Sequence, residues 1–199
     1  MQAMTLPAPG QPLVMTELTR PQPQAHDVVL QVLACGVCRT DLHIVDGDLP
    51  PRHAGIVPGH EVVGRVVAAG ALARRFPIGS RVGVPWLGGS CGHCAYCAGG
   101  RENLCDTPVF TGYDRNGALA LCAGIHMSDI PSFPYALLWG ERNLRSVANL
   151  TRQDGDAFLA LVDRCPVTTH VQPFALTQAN EAMTALRAGA IDGAAVLVP

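Results

Sequence analysis

The sequence predicts a mixed α/β chain, mainly β: a small barrel bearing a four-cysteine lobe, followed by a C-terminal α/β segment. Three observations carry this. Short β-branched runs alternate with Gly/Pro turns through the first half, as in Asp27–Ala34, His60–Ala68 and Ile78–Pro85. Cys91, Cys94, Cys97 and Cys105 follow the spacing C-x2-C-x2-C-x7-C. Beyond residue 150, apolar residues recur at helical rather than strand spacing.

In chain order, Pro12–Leu18 reads as an edge strand flanked by Pro and Gly, and Asp27–Ala34 as a buried strand. His60–Ala68 is the next, with Gly64 marking a bulge or a close backbone approach. Ile78–Pro85 follows, and Phe110–Gly117 is a turn-rich connection. Leu119–Ile125 and Asn143–Asn149 have strand character, with Pro134–Gly140 a short helical segment between them. Asp154 is expected to cap a helix whose Phe158, Leu161 and Val162 share a face. Thr168–Phe174 reads as a strand. Thr177 is expected to cap a helix with Ala179, Met183 and Leu186 on one face, stopped at Gly189, and Ala194–Val198 closes as a strand.

Composition excludes several functions. The formal net charge of −2 provides no basic field for nucleic acid or an anionic membrane. All 14 basic residues are Arg, so Schiff-base chemistry and a Walker-type phosphate lysine are both excluded. No signal peptide is seen, and no apolar run reaches the roughly 18 residues of a membrane span. The expected location is the cytoplasm, where thiols stay reduced and suit metal binding.

The four-cysteine spacing points to Zn2+, which takes four thiolates tetrahedrally, each about 2.3 Å away. Disulfides suit a short secreted chain, and the fourth gap is too long for the bacterial iron–sulfur run. Two upstream strings join it: Gly36-Val-Cys-Arg-Thr-Asp-Leu-His43 and Pro58-Gly-His-Glu-Val-Val-Gly-Arg65. Together the three resemble zinc-dependent alcohol dehydrogenases of the medium-chain dehydrogenase/reductase superfamily. The resemblance implies a GroES-like catalytic domain over 1–118, with its structural zinc lobe at about 88–108. It further implies a remnant of the Rossmann nucleotide-binding domain over 119–165 and a return to the catalytic domain over 166–199.

By the same resemblance, Cys38 and His60 are catalytic zinc ligands, and Glu61 lies close enough to swing toward the metal. Cys122 is the candidate third ligand; its alternative is a buried thiol on a strand. Asp41 is either the partner of the second His60 nitrogen or a turn residue. Thr40 would accept the alcohol proton and His43 pass it to solvent by way of the cofactor ribose, with NAD as hydride acceptor. Trp86 is a substrate-pocket wall or an ordinary core aromatic. The implied substrate is a small alcohol or aldehyde, a short-chain primary alcohol by class.

One departure decides how this is read. The family's nucleotide domain carries G-x-G-x-x-G between a strand and a helix, and these 199 residues contain none. The string Leu121–Gly124 resembles two separate places in full-length relatives, as though the stretch between them were lost in frame. The chain is therefore expected not to bind NAD in the family's way. Two functions follow: an alcohol dehydrogenase-type oxidoreductase impaired as an isolated chain, or a non-enzymatic zinc-binding structural remnant. Loss of an inter-domain partner surface predicts a homo-oligomer or self-associating chain.

Overall fold

The computed structural model describes residues 1–117, 134, 148–165 and 167–199. At its centre is β3 (Val28–Val37), a ten-residue strand that pairs antiparallel with β4 (Val62–Ala69) on one side. On the other side its last three residues pair with β9 (Ala194–Val198). β5 (Arg81–Val84) extends the sheet beyond β4, and β8 (Val171–Ala175) adds to β9 in parallel. The order is β5-β4-β3-β9-β8. Two small sheets accompany it: β1 (Gln2–Thr5) with β2 (Val14–Glu17), and β6 (Leu87–Gly89) with β7 (Val109–Phe110).

The β-branched runs fall where the sequence analysis places them, but β1 carries no strand signal of its own. It forms because β2 pairs with it and Thr5 and Thr16 hydroxyls meet at 2.7 Å across the ladder. Gly64 stands opposite Val32, where the ladder shifts register. A Cβ at Gly64 would meet the Gln31 carbonyl oxygen at 2.9 Å and Leu30 Cβ at 3.1 Å, so the strands close up only around glycine.

Four helices are described: α1 (Arg39–Asp46), α2 (Ala95–Ala98), α3 (Arg152–Val162) and α4 (Ala179–Arg187). Two expected caps are corrected. Thr151, not Asp154, caps α3: its hydroxyl accepts from the Asp154 amide at 3.2 Å, while the Asp154 carboxylate accepts from the Thr151 amide at 2.9 Å. Asp154 is thus the third helical residue of a reciprocal capping box. Thr177 does not cap α4 either. It lies in a 3-10 turn, Leu176–Gln178, that already satisfies the Ala179 amide, and Gln178 precedes the helix without a side-chain capping bond to its amides.

α4 buries Ala179, Ala182 and Met183 and packs Leu186 against the same core, matching its expected face. α3 differs: Phe158 and Leu161, expected on a common apolar face, are 59% and 49% exposed. Of the segments expected over 119–125, 134–140 and 143–149, only 134, 148 and 149 are among the described residues, and these are in neither helix nor strand.

The C-terminal return is fastened to the N-terminal half by polar side chains. Asn180 on α4 accepts from the Leu13 amide and donates to the Leu13 carbonyl, both at 2.9 Å, reproducing a strand pair with one side chain. Arg187 donates to Asp46 at the end of α1 at 2.6 Å. The core between them holds Leu6, Ile44, Ile56 and Leu197, all essentially solvent-free. Gly64→Ala is expected to destabilise the chain by about 1–3 kcal/mol, since the new methyl must displace β3 backbone. Urea unfolding measures this, and an unchanged midpoint would contradict the close approach.

Candidate metal centres and their surroundings

The first centre is local. Cys91 begins a turn, Cys94 caps α2, Cys97 lies within it, and Cys105 follows a 3-10 turn over Glu102–Leu104. Backbone amides point at three of these sulfurs: Cys94 N–H to Cys91 at 3.3 Å, Cys97 N–H to Cys94 at 3.5 Å, and Cys91 N–H to Cys105 at 3.3 Å. The His93 backbone amide, followed by that of Cys94, draws the Cys91 thiol down to about 6, and the Cys91 amide draws Cys105 below its ordinary value, whereas desolvation pushes Cys97 up to about 11. All four sulfurs lie within 4.8 Å of one another, and Cys91 and Cys97 are 3.9 Å apart. Four thiolates around one Zn2+ stand about 3.8 Å apart, so the residues present fit that ion. All cysteines among the described residues are free thiols.

The second centre draws on distant segments. Cys38, where β3 turns into α1, accepts from the Thr40 amide at 3.2 Å and so caps the helix through sulfur. Asp41, in the first turn of α1, is fully buried, and its Oδ1 accepts from the Gly59 amide at 3.1 Å. His60, 1% exposed, follows Gly59 and places Nδ1 3.6 Å from Asp41 Oδ1. That separation is a close polar contact beyond hydrogen-bond length. Asp41 Oδ2 and His60 Nδ1 have no hydrogen-bond partner among the described residues.

Burial dominates the electrostatics here. It pushes Cys38 up to about 11, helped by the Asp41 charge, and lowers His60 to about 4. It also holds Asp41 well above the usual carboxylate range, against the pull of the Gly59 amide. Cys35, one turn of strand earlier, is likewise raised by burial. Burial thus favours the uncharged form of each of these groups. Ligand atoms of Cys38, Asp41 and His60 lie within 4.8 Å of one another. Two unsatisfied buried atoms and a thiol–imidazole donor set fit Zn2+, whose charge would reverse the cost of a buried thiolate. Glu61 is half-buried and near enough for its charge to raise Cys38 and Asp41, but it is not in the converging set. Cys122 lies outside the described residues.

Thr40 is buried on α1, and His43 sits one turn further along, its side chain 13% exposed. Sequence reasoning missed the partner of His43: Asp48 Oδ2 meets its Nδ1 at 2.8 Å. Gly47 takes φ 91° to end the helix, and the His43 carbonyl accepts from both Gly47 and Leu49, folding Asp48 back over the ring. Gly47, three residues before Pro50, was the available signal. Trp86 stands edge-on to His60 with centroids 4.6 Å apart and stacks on Phe110 at 4.7 Å. It therefore walls the His60 side of the centre while also packing against the core.

The profile of the alcohol dehydrogenase GroES-like domain matches residues 24–134. The chain belongs to this family. Its relatives include a probable alcohol dehydrogenase AdhA of Mycobacterium tuberculosis, 46% identical over 112 residues, or 54% of this chain and 32% of that protein. An alcohol dehydrogenase of a Moraxella species is 44% identical over 121 residues, covering 60% and 36% of the two chains. This chain thus spans about a third of the length of the curated relatives it matches. Among solved structures, a putative zinc-binding dehydrogenase of Sinorhizobium meliloti bound to NADP aligns with a TM-score of 0.53 at 36% identity, over 58% of this chain and 33% of that one. A cobalt- and zinc-bound thermostable alcohol dehydrogenase of Pyrobaculum aerophilum aligns with a TM-score of 0.78 at 15% identity, over 100% and 99%. This second match shows a shared fold. With these relatives the mainly β, GroES-like architecture and its four-cysteine lobe are those of the alcohol dehydrogenase family.

Because an ionised carboxylate only accepts, the Asp48 contact makes Nδ1 of His43 the protonated nitrogen of the neutral ring. Long-range 1H–15N spectra are expected to show that tautomer, and Asp48→Ala to shift the ring to the Nε2–H form. An Nε2–H ring in the unsubstituted chain would refute the pairing.

Proposed function

We propose that this chain is the alcohol-binding, zinc-holding part of a zinc-dependent alcohol dehydrogenase, working on a short-chain primary alcohol or its aldehyde. The observation that carries the reading is the convergence of Cys38 and His60, with Asp41 behind them and Thr40 and His43 on the same helix. Zn2+ bound there would supply Lewis-acid polarisation of the alcohol oxygen. Thr40 accepts the hydroxyl proton, and His43, held by Asp48, hands it outward. Asp41 sets the His60 ring, and Trp86 keeps water from its flank. Glu61 and Cys122 are the residues we assign to complete the metal shell, and Cys91, Cys94, Cys97 and Cys105 hold a second, structural zinc.

Hydride transfer to NAD belongs in this proposal to a nucleotide-binding domain, for which these residues contain no phosphate-cradling loop. Losing the positioned acceptor forfeits a proximity contribution of roughly 7–11 kcal/mol, so turnover by the isolated chain is expected to fall below detection. That same missing loop favours the second reading, a non-enzymatic zinc-binding remnant. We assign the domain limits as 1–118, 119–165 and 166–199, and the cytoplasm as the location. No helix among the described residues is long and apolar enough to cross a membrane.

Elemental analysis of freshly purified protein separates the readings: about two zinc ions per chain, dropping to about one in Cys38→Ser, supports the catalytic centre. About one in the unsubstituted chain would leave only the lobe filled and favour the remnant. Clear alcohol-dependent NADH formation by the pure chain would refute the remnant outright. Phe158, Leu159 and Leu161 are 59%, 65% and 49% exposed, from which we expect self-association. A clean monomer at high concentration in the ultracentrifuge would count against it.

A further inference from the structure

Among the described residues, two adjacent side chains of the four-cysteine lobe hydrogen-bond to the start of α3. Glu102 Oε1 accepts from the Arg152 amide at 2.7 Å, and Asn103 Nδ2 donates to the Asn149 carbonyl at 2.7 Å. Arg152 is the first residue of α3, and Asn149 lies just ahead of its cap. A helix leaves its first amides without intrahelical partners, and the capping box accounts for the amides of Thr151 and Asp154 but not that of Arg152. Glu102 supplies the missing acceptor, from a segment 50 residues away. Its charge also complements the positive end of the helix.

Little else among the described residues holds α3. None of its residues is buried, and Phe158, Leu159 and Leu161 are exposed. The remaining tie is an exposed contact of Arg75 with Asp156 at 3.5 Å. The lobe in turn has little to hold its own shape. Its helix is four residues long, its 3-10 turn three, and neither buries a residue. The turn bearing Glu102 is closed by the Cys105 amide donating to the Glu102 carbonyl at 3.1 Å, so the backbone of Glu102 moves with a cysteine of the metal set.

We propose that the lobe is a metal-dependent latch, in which ion binding by Cys91, Cys94, Cys97 and Cys105 orders the Glu102–Asn103 edge that clamps the start of α3. Small metal lobes take their folding free energy from the ion, so stripping it should free the edge and release the helix. The latch rests on the zinc reading of the lobe, but its readout is the helix.

The test is amide hydrogen exchange at Arg152 in zinc-loaded protein, in chelator-stripped protein and in loaded Glu102→Ala, with zinc counted in each sample. In loaded protein the Arg152 amide is expected to exchange at least about tenfold more slowly than in Glu102→Ala. Stripping should produce the same loss, and Glu102→Ala should retain its zinc. Glu102→Gln, which keeps an acceptor oxygen, should preserve most of the protection. Equal exchange in loaded wild type and Glu102→Ala overturns the latch. Protection that survives stripping overturns its metal dependence. Failure of the lobe to take up zinc, seen directly in the metal count, overturns the underlying zinc reading instead.

Discussion

One buried hydrogen bond, from the Gly59 amide to Asp41 Oδ1, joins the two halves of the central site. Asp41 belongs to the helix that carries Cys38, Thr40 and His43, and Gly59 to the loop that carries His60. A carboxyl group with no exposed surface is costly unless its oxygens are used. One oxygen is used by the amide; the other, with the neighbouring imidazole nitrogen, is left over. Burial makes the thiol and carboxyl resist ionisation, a cost that a cation bound in their midst would offset. Structure and prospective chemistry are two consequences of one desolvated cluster.

The loop that holds His60 is seated by hydrogen bonds to its backbone as well as by the burial of Ile56 and Val57. Asn116 accepts from the Val57 amide at 2.9 Å, and the Gly117 amide donates to the Val57 carbonyl at 2.8 Å. A Cβ at Gly117 would overlap the Gly59 carbonyl, so the segment leaving β7 lies flat on the loop only because it has no side chain there. From the other side, Leu6 bridges to Ile56. His60 is thereby fixed between the N-terminal hairpin, α1 and the post-lobe turn, with Trp86 against its ring.

The two candidate metal centres embody different strategies. In the lobe, all four thiols lie within one short stretch, and the amides that stabilise them come from the same stretch. In the central site, two segments separated by β4's approach must be brought together by the sheet. The lobe can form wherever its own turns form. The central site exists only when β3, α1 and the His60 loop are packed.

That contrast also marks what the sequence determined. The strands of the main sheet were legible because β-branched runs bury between Gly/Pro turns, and the lobe because cysteine spacing alone brings sulfurs to one point. Gly64 signalled a close approach because only backbone without Cβ could pass there. Asp154 and Thr177 were misread as caps because a cap is decided by which side chain the backbone presents, and a neighbouring 3-10 turn can satisfy the amide first. The outward face of α3 was misread because helical periodicity tells which residues share a face, not what covers it. Asp48 was invisible as a partner of His43, since a left-handed glycine folds it back across a helix end. The sequence by itself determined the sheet, the lobe and the family. Only tertiary structure decided the Asp41–Gly59 bond, the His43–Asp48 pair and the clamp on α3, because each joins groups whose proximity is set by packing rather than by spacing along the chain.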